Sequence, residues 1–141
     1  KKAGFNQNKK WVTDVDLWYN VGIEGSSQEE HDHMGGFPGV VYSAIHYLIY
    51  DPNEHEPTIF YNPIHHTYLR NMHPCNGEDM PTDWRKGYYS PTVAEGDIIF
   101  FPSYLRHSVS YQRSKAVRAT IAMNLTIGNP NEFLFKNVVT S

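Results

Sequence analysis

The sequence contains one cysteine, Cys75, among its 141 residues. A single thiol cannot form an internal disulfide, which excludes the small secreted domains that depend on a disulfide framework. An unpaired cysteine suits a reducing compartment, and we therefore expect a cytoplasmic protein. The sequence begins with Lys1 rather than methionine, so the presence of a preceding segment stays open.

The sequence also lacks long apolar runs, clustered basic residues and long helical periods. No run approaches the roughly 20 apolar residues of a transmembrane helix, and no signal peptide is recognisable, so we expect no membrane contact. The net charge of −3, with acids and bases interspersed, argues against a dedicated nucleic-acid surface. Hydrophobic residues still make up 40% of the chain, which predicts one folded domain over residues 1–141.

Aromatic residues and turn formers are abundant, with ten tyrosines, seven phenylalanines, nine prolines and ten glycines. This composition predicts an all-β protein of short strands joined by turns. Strands are expected at 15–22, 39–50, 58–63 and 66–71, followed by a loop at 72–86 whose length is typical of functional lids. A hairpin is expected at 87–102, with its turn around Glu95, Gly96 and Asp97, and a second hairpin is expected to pair 106–112 with 115–128. An edge strand at 132–140 would close the domain. The run at 39–50 is apolar enough for burial on both faces. Strands in succession without helices predict an antiparallel sandwich or small barrel.

Two histidines stand one residue apart in the stretch EEHDHMGGFPG, residues 29–39. In an extended chain, side chains two residues apart point to the same side, so His31 and His33 would project together while Asp32 faces away. Two imidazoles at this spacing can chelate one metal ion. Two exposed histidines in a polar turn would give the same motif, so a metal site needs further partners.

A third histidine follows a strand that is expected to be buried. In EGDIIFFPSYLRHSV, residues 95–109, a tight turn leads into an apolar strand that Pro102 stops, and His107 begins the next strand. Alone, His107 is equally consistent with a hydrogen-bonded structural histidine.

Polar side chains share one side of the strand RATIAMN, residues 118–124, among them Arg118, Thr120 and Asn124. If that side faces water, the pattern is ordinary. If it faces the mouth of a barrel, Arg118 would be a costly buried cation unless an anion pairs with it. A ligand carboxylate matches the guanidinium fork, and the Thr120 hydroxyl would be a further donor.

Together these segments resemble the iron(II)/2-oxoglutarate-dependent oxygenases, in particular small oxygenases of bacteria and marine phages. The similar segments are HDHMGGFPGVVYSAIHYL, TIFYNP, GDIIFFPSYLRHSV and RATIAMN, within about residues 18–127. The resemblance implies a double-stranded β-helix, or jelly roll, that holds iron(II) at its open end. It implies an enzyme that uses 2-oxoglutarate and O2 to oxidise an unidentified prime substrate, releasing succinate and CO2, in the host-cell cytoplasm if a phage encodes it.

The resemblance also assigns roles by position. The iron ligands of the family fall on three histidines, His31, His33 and His107. The far carboxylate of 2-oxoglutarate would meet Arg118, with Thr120 beside it as in the family's Arg-x-Ser pattern. Tyr42 or Tyr47, on the long strand after the first two histidines, would hydrogen-bond the cosubstrate, and Asn124 would support the site from behind the ligands.

One position departs from the family. The usual ligand set is two histidines and one carboxylate in an H-x-D or H-x-E pattern, whereas His33 stands at the second position here. A neutral imidazole leaves the metal one unit more positive than a carboxylate would. Asp32 or Glu30 would take this position only if the backbone is not extended there.

Two other functions stay open. The spacings from Gly25 to His31 and from Gly96 to His107 resemble the two cupin motifs, which predict a jelly-roll metalloenzyme without a cosubstrate. The cupin pattern requires a glutamate shortly after the second histidine, which MGGFPG lacks, and it gives Arg118 no role. The second alternative is a non-catalytic jelly-roll binding module, whose histidines bind a structural metal or none.

Overall fold

The computed structural model describes residues 12–35, 39–64 and 87–128, and these residues form eight β-strands without a helix. The strands are β1 (Val12–Gly22), β2 (Gln28–His31), β3 (Val40–Ile49), β4 (Thr58–Tyr61), β5 (Tyr88–Tyr89), β6 (Ile98–Pro102), β7 (His107–Val109) and β8 (Arg118–Gly128). The described part of the chain accordingly contains no helix that could cross a membrane.

The strands form two four-stranded sheets, of order β1-β8-β3-β6 and β2-β7-β4-β5, and every pairing in them is antiparallel. Apart from β4 and β5, consecutive strands lie in opposite sheets. This connectivity is that of a double-stranded β-helix, or jelly roll, as the family resemblance implies. The strands predicted at 15–22 and 58–63 correspond to β1 and β4.

The two predicted hairpins, at 87–102 and at 106–112 with 115–128, are wrong. The turn at Gly96 is present, with a φ of +88°, and the Gly96 N–H donates to the Tyr47 carbonyl at 2.7 Å. Its arms separate, because β5 pairs with β4 while β6 pairs with β3. Likewise β7 pairs with β2 and β4, whereas β8 pairs with β1 and β3. Local residues set a turn, but the face that must be buried sets the partner strand.

The strand predicted at 39–50 is β3, but only its centre is buried on both faces. Ser43, Ala44 and Ile45 are at most 8% exposed, whereas Leu48 and Ile49 are 39% and 48% exposed. The strand predicted at 66–71, the loop at 72–86 and the edge strand at 132–140 lie outside the described residues.

The core lies between the two sheets and packs against His107. Tyr47 of β3 is fully buried, and its hydroxyl donates to Thr58 Oγ1 of β4 at 3.0 Å, which joins the first sheet to the second. The rings of Phe60 and Phe101 pack edge to face at 4.8 Å between centroids. Both rings also contact the imidazole of His107, at 5.9 and 4.8 Å.

The Tyr47–Thr58 bond should contribute measurably to stability. Tyr47→Phe removes one partner and leaves polar atoms of the fully buried Thr58 unsatisfied, so we expect the free energy of unfolding in urea to fall by about 1–3 kcal/mol. Tyr42→Phe changes an exposed tyrosine of the same strand and should alter it by less than about 0.5 kcal/mol. Equal losses in the two variants would contradict this role.

Candidate metal and cosubstrate site

Strand pairing brings two of the predicted ligands together. His31, the last residue of β2, lies directly opposite His107, the first residue of β7, and their ring centroids are 4.3 Å apart. Opposed residues of an antiparallel pair project from the same face, so both rings enter the space between the sheets. His33 follows two residues later, where its N–H donates to the Ser103 carbonyl at 2.9 Å.

The three imidazoles form one group. One ring nitrogen from each of His31, His33 and His107 lies within 4.8 Å of the others, and the described ranges contain no second such group of His, Cys, Asp or Glu. The Nδ1 atoms of His31 and His107 lie 2.7 and 3.0 Å from the carbonyls of Glu29 and Leu105. A carbonyl only accepts, so both Nδ1 atoms carry the proton and both Nε2 atoms keep their lone pair. The Nε2 of His31 accepts a long bond from the Gln28 amide at 3.4 Å, which a metal ion would replace.

His33 meets acceptors from side chains instead. Its Nδ1 lies 2.8 Å from Ser43 Oγ and 2.5 Å from Asn124 Oδ1. An Nδ1–H that donates to them also leaves Nε2 free as a ligand. Three neutral imidazole nitrogens form a donor set suited to iron(II) and similar divalent metals, so the residues present fit a bound iron.

Burial keeps two of the imidazoles neutral, as metal binding requires. Removal from water lowers the pKa of His107 to about 4, against the opposing effect of its bond to Leu105. Removal from water also lowers the pKa of His33, against the opposing effect of its bond to Asn124.

The structure brings neither candidate carboxylate into this group. Glu30 Oε1 pairs with Arg106 Nε at 3.1 Å. Asp32 is exposed, and its Oδ1 accepts the Met34 N–H at 3.0 Å. Asp32 does line an open cavity of about 450 Å³ beside His31 and His33, so it contributes negative charge near the imidazoles rather than a ligand atom of the group.

Arg118 is a buried cation. It is 5% exposed, and its Nε has no hydrogen-bond partner in the described part of the chain. Its guanidinium carbon lies 5.4 Å from the ring centroid of Tyr47 and 6.0 Å from that of Tyr50, so aromatic faces replace part of its hydration. No carboxylate of the described residues forms an ion pair with it.

Arg118 lies in the walls of two neighbouring cavities. The first has a volume of about 320 Å³ and includes Asn20 and Gln28. The second, of about 20 Å³, shares these three residues and also contains the three histidines and Thr120. The guanidinium and the three imidazoles therefore line the same cavity, although these four residues come from three strands and the segment after β2.

The other predicted residues divide into two groups. Thr120 is 2% exposed beside Arg118, Tyr47 lies under the guanidinium, and Asn124 contacts His33. Tyr42 is 45% exposed and does not line any of the cavities described above.

Sequence reasoning missed several residues of the site. Trp18 lines both cavities that contain His31, and its ring lies 5.8 Å from the ring of His33. Trp18 and Asn20 lie opposite Ala122 and Thr120 on the same inward face, so the two-residue period of β1 is the signal that would have found them. Ser43 is hidden in an apolar run and gave no comparable signal.

Loss of one imidazole should abolish tight metal binding. We expect His107→Ala to weaken cobalt(II) binding by more than about a hundredfold, since even loss of a hydrogen-bond partner of a metal ligand costs about 10- to 100-fold. The measurement is a titration followed by visible absorption. His46→Ala, at a half-buried histidine of β3 outside the group, is the matched control and should bind as wild type does. Unchanged binding in His107→Ala would contradict the site.

The buried histidine should also make the metal-free protein acid-sensitive. The pKa of His107 is about 4 in the folded protein and 6.5 when the imidazole is exposed to water, as in the unfolded chain. The unfolded chain therefore binds more protons than the folded protein between these two pH values. The free energy of unfolding should therefore fall as the pH falls through this window, by up to about 1.4 kcal/mol per pH unit from this group. Urea unfolding of wild type and His107→Gln measures it, and equal pH slopes in the two proteins would contradict a neutral buried His107.

A comparison with protein families identifies the kind of protein that this chain resembles. The family model described as "Putative 2OG-Fe(II) oxygenase" matches residues 16–124. No curated protein matches the chain. The phage part of the resemblance stays a prediction.

Solved structures at 12–15% sequence identity share the fold. They include a prolyl-4-hydroxylase from Pseudomonas putida, at 12% identity and a TM-score of 0.53 over 80% of this chain and 52% of that chain. An oxidoreductase of the 2OG-Fe(II) oxygenase family from Burkholderia pseudomallei is 15% identical, with a TM-score of 0.56 over 86% and 48%. HygX from Streptomyces hygroscopicus with iron bound is 13% identical, with a TM-score of 0.53 over 84% and 59%.

These likenesses confirm the jelly roll, and the chain spans only about half of the length of the first two structures. The family match extends over most of the chain, including the positions of all three histidines and of Arg118. The protein belongs to the 2OG-Fe(II) oxygenase family.

Proposed function

We propose that the protein is an iron(II)- and 2-oxoglutarate-dependent dioxygenase that oxidises a still unidentified prime substrate. The observation that carries the proposal is the buried guanidinium of Arg118, which lacks a carboxylate partner among the described residues and faces the same cavity as three converging imidazoles. A ligand that is both a metal chelator and a carboxylate would satisfy both features.

Arg118 would bind the far carboxylate of 2-oxoglutarate. A buried cation without an anion is costly, and a planar guanidinium can hold a carboxylate with two parallel hydrogen bonds. The rings of Tyr47 and Tyr50 restrict where the guanidinium can lie. Thr120, on the same side of β8, would add a hydroxyl donor.

His31, His33 and His107 would hold the iron(II). Three protein ligands leave open positions for the keto acid end of 2-oxoglutarate and for O2. When bound, the iron supplies the oxygen chemistry that couples conversion of 2-oxoglutarate to succinate and CO2 with oxidation of the prime substrate. The protein's own contribution is to keep the imidazoles neutral, to orient them and to limit water around them.

The prime substrate would approach from the open cavity of about 450 Å³ next to His31 and His33. Trp18 and Met34 give this cavity apolar surface, and Asp32 gives it one carboxylate. A substrate that fills it would lie beside the imidazoles while Arg118, which does not line this cavity, engages the cosubstrate.

Chelation of 2-oxoglutarate to iron(II) produces a visible charge-transfer band, which tests the proposal directly. We expect the band when the protein is titrated without oxygen with iron(II) and then 2-oxoglutarate. Arg118→Met should bind iron normally but require at least about thirtyfold more 2-oxoglutarate, because loss of a buried charge partner costs about 2 kcal/mol or more. Arg113→Met, at an exposed arginine, is the matched control.

Each alternative function has its own outcome. Iron binding without a band at any 2-oxoglutarate concentration would contradict the dioxygenase and favour a cupin-type metalloenzyme without a cosubstrate. Absence of iron binding would favour a binding module. A band with equal 2-oxoglutarate demand in wild type and Arg118→Met would contradict the role of Arg118.

A further inference from the structure

His33 is the one histidine of the group whose Nδ1 is hydrogen-bonded to side chains rather than to a backbone carbonyl. His31 and His107 contact backbone carbonyls, which every sequence supplies. His33 instead meets Ser43 and Asn124. It lies beyond the end of β2, where its backbone N–H bonds the Ser103 carbonyl, and this bond does not set the rotation of the ring. Its orientation therefore depends on these two residues.

Ser43 and Asn124 form a preassembled pair. They are direct partners in the register of β3 with β8, and the Ser43 hydroxyl donates to Asn124 Oδ1 at 2.8 Å. Ser43 is 2% exposed, so water does not compete readily for this bond. Neighbouring strands of one sheet thus hold two oxygen atoms within hydrogen-bond distance of His33 Nδ1.

The direction of the hydrogen bonds decides which nitrogen of His33 can bind a metal. The Ser43 proton is committed to Asn124 Oδ1, so both oxygens that face His33 Nδ1 act as acceptors. Nδ1 must then carry the proton, and Nε2 keeps its lone pair. The reverse network, with the Asn124 amide group donating to Ser43 and the Ser43 hydroxyl donating to Nδ1, would move the proton to Nε2 and prevent ligation.

We propose that Ser43 and Asn124 are positioning residues that fix the Nδ1–H tautomer of His33, and that they thereby make an imidazole the third metal ligand where the family usually has a carboxylate. The inference rests on the metal site of the proposed function but does not depend on the use of 2-oxoglutarate. It extends the site to a residue of β3 that has no metal-binding atom of its own.

The first test is the tautomer in the metal-free protein. Two-dimensional ¹H–¹⁵N spectra of protein with ¹⁵N-labelled histidine distinguish Nδ1–H from Nε2–H rings, and His33→Gln assigns the signal. We expect Nδ1–H for His33 in wild type and in Asn124→Asp, which keeps an acceptor oxygen. Asn124→Ala should give a mixture of both tautomers. An Nε2–H ring in wild type, or an unchanged ring in Asn124→Ala, would overturn the proposal.

The second test is metal affinity, measured by cobalt(II) titration. We expect Asn124→Ala to bind about 10- to 100-fold more weakly, Ser43→Ala to lose less, and Asn124→Asp to bind at least as tightly as wild type. Ser108→Ala is the control, because it removes a buried hydroxyl next to His107 that bonds Tyr61 Oη at 2.9 Å and contacts no ligand nitrogen. Equal weakening in Asn124→Asp and Asn124→Ala, or in Ser108→Ala and Ser43→Ala, would indicate general destabilisation and overturn the proposal.

These outcomes separate the two proposals. The predicted pattern of cobalt affinities without a 2-oxoglutarate charge-transfer band would leave the inference standing and contradict the dioxygenase. A normal band together with an unchanged His33 tautomer in Asn124→Ala would support the dioxygenase and contradict the inference about Ser43 and Asn124. Failure of wild type to bind cobalt would contradict both.

Discussion

The register of β2 with β7 is the constraint on which the site depends. It places His31 directly opposite His107, although these residues lie far apart in the sequence. The ladder is irregular between Gln28 and His31, and such irregularities commonly re-aim side chains near active sites. His33 joins the pair by a two-residue step beyond β2. A slip of β2 by one residue would point His31 out of the cavity and remove the group.

Burial places two opposite demands on the same cavity. Loss of water favours the neutral form of His107, which is the form that binds a metal. The same loss leaves the guanidinium of Arg118 in need of an anion, because aromatic faces replace only part of its hydration. A dianionic chelator that reaches from a metal to the guanidinium meets both demands. This is why the proposed function follows from the cavity as a whole rather than from the histidines alone.

The parts of the site that sequence reasoning found are those governed by the two-residue period of a strand. That period placed His31 with His33, and Arg118 with Thr120, on common faces. It could not reveal the pairing partners, since Gly96 specifies a turn but burial decides which strands meet across it. The period also gave no reason to single out Ser43, because the hydroxyl lies in an apolar strand and its hydrogen-bond partner, Asn124, follows it by 81 positions.

The most direct test of the central claim is a crystal structure of the protein grown without oxygen in iron(II) and 2-oxoglutarate. We expect one iron bonded to the Nε2 atoms of His31, His33 and His107, with 2-oxoglutarate chelating it and its far carboxylate on Arg118. An iron bonded to Asp32 or Glu30 in place of His33, or a 2-oxoglutarate that leaves Arg118 without a partner, would contradict the proposed site.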